Sequence, residues 1–186
     1  MAPTKRMEPA VLEGVRIIWP NFTGRQTQYN PAGSRNFCVV LEPEVADQMA
    51  RDGWNVKSTN PRDEYDEPLH YIQVAVKYDF RPPKVSLVTS RGRNPLDESL
   101  VGMVDGMDIK YADLVLNGSV WNVSGKSGVK AYLKNAYIVL EEDDLDRKYE
   151  SVPVLGGGGS RQMAIESSEN PWTEEGEVLE DLGETL

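Results

Sequence analysis

Along HYIQVAVKYDF, His70 to Phe80, apolar and polar side chains take turns. Ile72, Val74, Val76 and Tyr78 fall on one side, with Gln73, Ala75, Lys77 and Asp79 on the other. A period of two predicts a strand with one buried face. Further short β-rich runs are GVRIIW (Gly14 to Trp19), RNFCVVLE (Arg35 to Glu42), KVSLVTS, ADLVLNGSVWNV and GVKAYLKNAYIVLEE. PEVADQMARDG has a different spacing: Val45 and Met49 stand four apart, Pro43 suits a first turn and Gly53 a stop. That combination predicts a short helix. Asp97 to Val104 reads as a helical turn. Five or six short strands with one or two small helices predict a compact β-barrel or sandwich.

The last two strands fix each other's faces. With Gly125 to Gly128 as the loop between them, Val123 is expected to face Lys130 and Trp121 to face Tyr132. Leu114, Leu116 and Val120 then join Val129, Ala131 and Leu133 on the core side. Asn117, Ser119, Trp121, Lys130, Tyr132 and Lys134 point the other way. Two alternations agree on this split, and a slip of one residue would destroy it. Ile138 and Leu140 are too apolar to follow Lys134 outward, so a bulge is expected near Asn135 and Ala136.

Composition adds limits. At 186 residues the chain can bury a real core in one domain plus an appendage. The start, MAPTKRMEPAVLEG, has no apolar run of signal-peptide or membrane-span length, and the lone Cys38 fits a reducing cytosol. His70 is the one histidine, which argues against a Cys/His zinc site, and it reads as a loop residue. Neither a metal nor a cofactor is expected.

Charge divides the chain. Of the formal net charge of −10, the stretch Glu166 to Leu186 carries −8, with eight acids and no Lys or Arg. Leu155 to Gln162, LGGGGSRQ, reads as a flexible linker leading into it. The predicted organisation is therefore a folded domain over 1–152 and a Gly-rich linker with a disordered acidic tail over 153–186. The acidity belongs mostly to the tail, so the body remains free to meet an anion.

Acids are missing from three windows, Gly14 to Leu41, Phe80 to Leu96 and Leu114 to Leu140. The windows hold Arg16, Arg25, Arg35, Arg81, Lys84, Arg91, Arg93, Lys126, Lys130 and Lys134, together with Trp19, Phe22, Tyr29, Phe37, Phe80, Trp121, Tyr132 and Tyr137. Cations interleaved with rings suit single-stranded nucleic acid: the cations meet phosphates while ring faces stack on unpaired bases. The competing explanation is that strands avoid Asp and Glu and fill their cores with aromatics. Enzymatic constellations fare worse. Ser124 to Ser127 reads SGKS, but the first glycine of a phosphate loop would fall at Val120, so that pattern fails. The acids of Asp63 to Glu67 and the Asp105/Asp108 pair could hold a hard cation, but the former lie between Pro61 and Pro68 and read as a solvated run. Cys38 has no histidine base in prospect and sits inside a strand, where a buried thiol is ordinary.

GSRNFCVVLE, GWNVK, the alternating strand before RPPKVSLV, and DLVLNGSVWNVSGKSGVKAYLKNAYIVLEEDDLDRKY together resemble phage single-stranded-DNA-binding proteins with an OB fold. The resemblance spans Val15 to Tyr149. It implies a five-stranded Greek-key barrel, no catalysis, and a role coating single-stranded DNA during phage replication and recombination in the host cytoplasm. In the nucleic-acid site we expect Arg25, Tyr29, Arg35, Lys77, Arg81, Lys84, Arg91, Arg93, Trp121, Lys126, Lys130, Tyr132 and Lys134. Trp121 and Tyr132 would stack bases. The resemblance also implies that the tail recruits replication or recombination proteins, and there Trp172, Leu179, Leu182 and Leu186 are the candidate contacts. The chain stops at Thr185-Leu186, where many related tails end in an aromatic residue. A single-strand annealing protein acting as a homo-oligomer, and a structural phage protein, are the alternatives from other classes.

Overall fold

The computed structural model describes residues 7–149 and 151–153. Among these the chain is mainly β, and its architecture begins with a bent first strand. β1 (Ala10–Val15) pairs antiparallel with β8 (Ile109–Val123), whereas β2 (Ile17–Asn21) pairs antiparallel with β3 (Arg35–Leu41). Between them the Arg16 carbonyl still accepts the Val40 N–H at 3.0 Å, so the chain changes partner within one residue. The sequence pattern showed only the second half of this segment. The first half, AVLEGV, buries Leu12 alone and so carries little apolar signal.

The strand order is β1-β8-β9-β5-β3-β2, with β5 (His70–Val76) parallel to β9 (Lys126–Leu140) and the other neighbours antiparallel. The hydrogen-bonded ladder is open between β1 and β2, and the covalent chain joins its two ends at Arg16. Taken with β1 and β2 as one bent strand, this is the five-strand Greek-key order of an OB fold. Three short strands enlarge it: β4 (Val56–Ser58) on β5, and the hairpin of β6 (Lys84–Thr89) and β7 (Gly92–Leu96). β6 lies parallel to β9 over Asn135–Val139. One edge of β9 therefore serves β5 near Ala131 and Tyr132, then β6 beyond Lys134.

The core is the inward half of each alternation. Phe22 and Phe37 stack with centroids 5.0 Å apart, among Val39, Ile72, Val74, Leu114, Leu116 and Ile138, all 0–1% exposed. Helix α1 (Pro43–Arg51) starts with its proline in the first turn, as expected, and buries Ala46 and Met49. Val45, the predicted partner of Met49, is exposed. A 3₁₀ segment (Val101–Gly106) replaces the expected helical turn, and α2 (Asp144–Tyr149) was not foreseen. His70 opens β5 instead of lying in a loop, with Nδ1 2.8 Å from Ser58 Oγ.

The β8–β9 hairpin corrects the predicted register. Ser124 (φ 51°) and Gly125 (φ 78°) alone form the turn, both left-handed as a two-residue primed turn requires. Val123 pairs with Lys126, Trp121 with Gly128, Ser119 with Lys130 and Asn117 with Tyr132. Trp121 therefore does not face Tyr132. The shift is an even number of residues, so most of the split survives: Leu114, Leu116, Val129, Ala131 and Leu133 are buried while Lys130 and Lys134 are exposed. Val120, expected in the core, is 39% exposed, because it pairs with Val129 near the hairpin tip. The expected bulge is present, with Val115 opposite Asn135, Leu116 opposite Leu133 and Lys134 left over.

One carboxylate locks the corner after β2. Asp105 accepts the Phe22 N–H at 2.7 Å, the Thr23 N–H at 3.0 Å and the Thr23 hydroxyl at 2.8 Å. The Thr23 side chain also fills the space a Cβ at Gly102 would need, 2.9 Å away. Asp105→Ala should lower stability by about 2–4 kcal/mol, because a part-buried N–H loses a charged acceptor. A denaturant midpoint unchanged from the parent would show that the clamp is dispensable.

Candidate nucleic-acid interface

The outward positions of the alternating strands form the candidate site. On β5 these are Tyr71, Gln73, Ala75 and then Lys77 just beyond it, between buried Ile72, Val74 and Val76. On β9 they are Lys130, Tyr132 and Lys134, and on β8 Asn117, Ser119 and Trp121. A cleft of about 660 Å³ opens over this surface, walled by Arg35 and Asn36 of β3, Gln73, Ala75 and Lys77, Trp121 and Lys130. The loop between β2 and β3 supplies the far wall through Tyr29, Asn30 and Ser34.

That loop is held from both ends. The Gly33 N–H donates to the Gly24 carbonyl at 2.8 Å, and a Cβ on Gly24 (φ 70°) would come within 3.1 Å of the Gly33 backbone. The Asn21 side chain accepts the Arg25 N–H at 2.9 Å and donates to the Arg25 carbonyl at 3.0 Å. Asn36 Nδ2 donates to Asn30 Oδ1 at 2.8 Å, tying the loop to the cleft floor. Tyr29 at its tip is almost fully exposed.

Trp121 depends on its cross-strand partner. A Cβ at Gly128 would lie 2.9 Å from Cζ2 of the indole, so only glycine lets the ring lie against β9. The ring remains 37% exposed. Lys130 Nζ sits 5.5 Å from the Tyr132 ring centroid, a cation and a π-face presented together. Cation and ring meet again at Arg35, whose guanidinium carbon is 5.3 Å from the Tyr78 centroid. Arg35 is already engaged, with Nη1 2.8 Å from Glu98 Oε1. Burial raises the Tyr78 hydroxyl above the usual tyrosine range, and the Arg35 charge pulls it partly back.

Five expected residues thus meet in one cleft: Tyr29, Arg35, Lys77, Trp121 and Lys130. Tyr132 adjoins it through its pairing with Ala75, and Lys134 stands at the bulge. Lys126 begins β9 at the hairpin tip, and Arg25 is exposed in the β2–β3 loop. Arg81, Lys84, Arg91 and Arg93 are not on the cleft wall. Arg81 covers Phe80 at 5.7 Å, Lys84 opens β6, Arg91 lies in the β6–β7 turn, and Arg93 lies 5.8 Å from the Tyr137 centroid. Asn36, Asn55, Gln73 and Tyr78 line the cleft without having been foreseen. The outward phase of β5 gives Gln73 from sequence; the others depend on tertiary placement.

The tail residues Trp172, Leu179, Leu182 and Leu186 fall outside the described residues. Among those described, no helix is long and apolar enough to cross a membrane.

The sequence model of the phage ssDNA-binding domain matches residues 2–185. The chain belongs to that family. Two solved structures similar to this phage ssDNA-binding-domain protein are of the single-stranded DNA-binding protein from bacteriophage Enc34. The C-terminally truncated form is 9% identical, with 73% of this chain and 87% of that chain covered at a TM-score of 0.48. The other is 8% identical, with coverages of 73% and 82% and a TM-score of 0.46. No curated protein matches.

Cys38 belongs to the same outer face, between Ile18 of β2 and Gln73 of β5. Burial pushes its thiol up to about 11, against a partial pull downward from Lys57. The folded thiol therefore stays protonated until well above the unfolded range, and stability falls as pH rises from that range toward 11, because the unfolded chain ionises first. Alkylation at pH 8 should be slow in the native protein and fast in denaturant. Equal rates would mean that the outer face opens freely.

Proposed function

We propose that this protein binds single-stranded DNA along the outer face of β3, β5, β8 and β9, as a non-enzymatic coat in phage DNA replication or recombination. The observation that carries the reading is the cleft itself, where Trp121, Tyr29, Lys77 and Lys130 converge from four separate segments. Unpaired bases would lie on the exposed indole of Trp121 and against the half-buried ring of Tyr132, and phosphates would meet Lys77, Lys130 and Lys134. Such readout is tolerant of sequence, since every base has a π-face. The action would take place in the cytoplasm of the infected host. For the acidic segment from Glu166 to Leu186 we propose recruitment of replication or recombination partners, supported by its eight unneutralised acids and its few apolar side chains.

Trp121→Ala and Tyr132→Ala should each weaken oligo(dT) binding by about 1–3 kcal/mol with little change in thermal stability. A folded double variant that binds like the parent would overturn the assignment. Electrostatics has its own signature. Lys130→Ala should lower the log–log salt slope by about 0.7, the share of one phosphate contact on a single strand. Glu98→Gln should raise the slope by a similar amount, because it releases Arg35 from its 2.8 Å partner. Slopes equal to the parent's in both variants would show that neither cation faces the backbone.

A further inference from the structure

We propose a second base-stacking subsite at Trp19 and Tyr71, beyond the cleft on the same outer face and occupied by the same single strand of DNA. The inference rests on the single-stranded-DNA reading and extends it. Trp19 has φ 49°, a left-handed backbone that a bulky side chain adopts only under constraint. The β2–β3 register shifts at this point, between Ile18 and Asn21. Bulges of this kind re-aim a side chain. Here the consequence is a tryptophan 58% exposed, when its neighbours in β2 are partly or fully buried.

The re-aimed ring is placed in register with the cleft. It meets Tyr71 in a T-shaped arrangement, with centroids 5.2 Å apart and planes at 88°, and at 58% exposure much of the indole stays open to solvent. Tyr71 points outward from β5, and the next outward residue, Gln73, is a wall of the cleft. Across from Tyr71 on β4 lies exposed Lys57, a cation positioned for phosphate. From Lys77 to Tyr71 the strand covers about 20 Å, a span that several nucleotides can follow. Ring, ring and cation repeat the chemistry of the cleft at its far end. A strand bound to both must be longer than one bound to the cleft alone.

Length dependence provides the test. Trp19→Gly removes the ring and suits the left-handed backbone, whereas Trp19→Phe keeps a ring. Anisotropy titrations would use oligo(dT) of about 5 and about 15 nucleotides, bracketing the site sizes of OB folds. Trp19→Gly should weaken the long oligonucleotide about 5- to 150-fold and leave the short one within about twofold, while Trp19→Phe restores most of the loss. Equal binding at both lengths by folded Trp19→Gly would overturn the proposal, as would equal weakening at both, which would place Trp19 in the cleft's own support. If the parent binds neither length, the single-stranded-DNA reading itself fails. Should Trp19→Gly not fold, Tyr71→Ser is read in the same way. Photocrosslinking of long oligonucleotides carrying 5-iodouracil to the parent should map to Trp19 or Tyr71; crosslinks confined to the cleft would also overturn the proposal.

Discussion

A single stretch of chain, residues 10–21, must hydrogen-bond two strands that diverge from each other. β8 takes its first half and β3 its second, with Arg16 at the changeover. A regular strand cannot turn that corner, because its twist carries both edges together. The chain meets the demand with left-handed backbone at Gly14 and Trp19 and with register shifts in both ladders. Much of the outer face follows. The second irregularity exposes Trp19, and the Asp105 clamp fixes the chain as it leaves the corner. The loop that walls the cleft begins right after the clamp.

A second division of labour sits at Lys134. Before the bulge, β9 is paired with β5 and offers Lys130 and Tyr132 beside the cleft; after it, β9 is paired with β6 and offers Tyr137 to Arg93. One strand edge thus supports two neighbouring surfaces without a break in the core, since Ala131, Leu133, Ala136 and Ile138 all stay buried. The extra residue absorbs the change of phase that would otherwise send Ile138 into water. The cations of the β6–β7 hairpin are brought to the same sheet by this route, but not into the cleft.

Period and composition made the faces legible. The alternation in β5, β8 and β9 assigns nearly every inward and outward side chain, and the apolar break after Lys134 locates the bulge. The turn length was not legible in the same way. Ser124-Gly125 is a weaker hairpin signal than Asn-Gly, and the glycine at 128 suggested a longer loop. That glycine serves the Trp121 ring instead. The acid-free window from Phe80 to Leu96 groups Arg81, Lys84, Arg91 and Arg93, yet the last three ride on a hairpin docked beyond the bulge and Arg81 lies just before it, all off the cleft wall. No spacing in the sequence announces which edge of β9 that hairpin will choose. The strained Trp19 is equally hidden, because φ belongs to the corner and not to the tryptophan.

The cleft combines held and free groups, which bears on how it would take up the proposed strand. The Trp121 ring is settled on Gly128 before any ligand arrives, so stacking on it orders little new. Asn36 and Asn30 are likewise joined, and the two-point pinch at Gly24 and Asn21 limits the loop. Against this rigidity, Lys77 and Lys130 are long, exposed side chains that can follow a backbone of any sequence. Arg35 is the exception among the cations. Its guanidinium lies over Tyr78 and is paired with Glu98, and an anion reaching it must displace a carboxylate at 2.8 Å. A phosphate can do that only if it gains elsewhere, for instance from a base already stacked on Trp121. Stacking would then come first, and the Arg35 contact would follow where the strand is well seated. On the proposed reading, settled rings would set the path and long exposed cations would trace it, the division that binding without sequence preference requires.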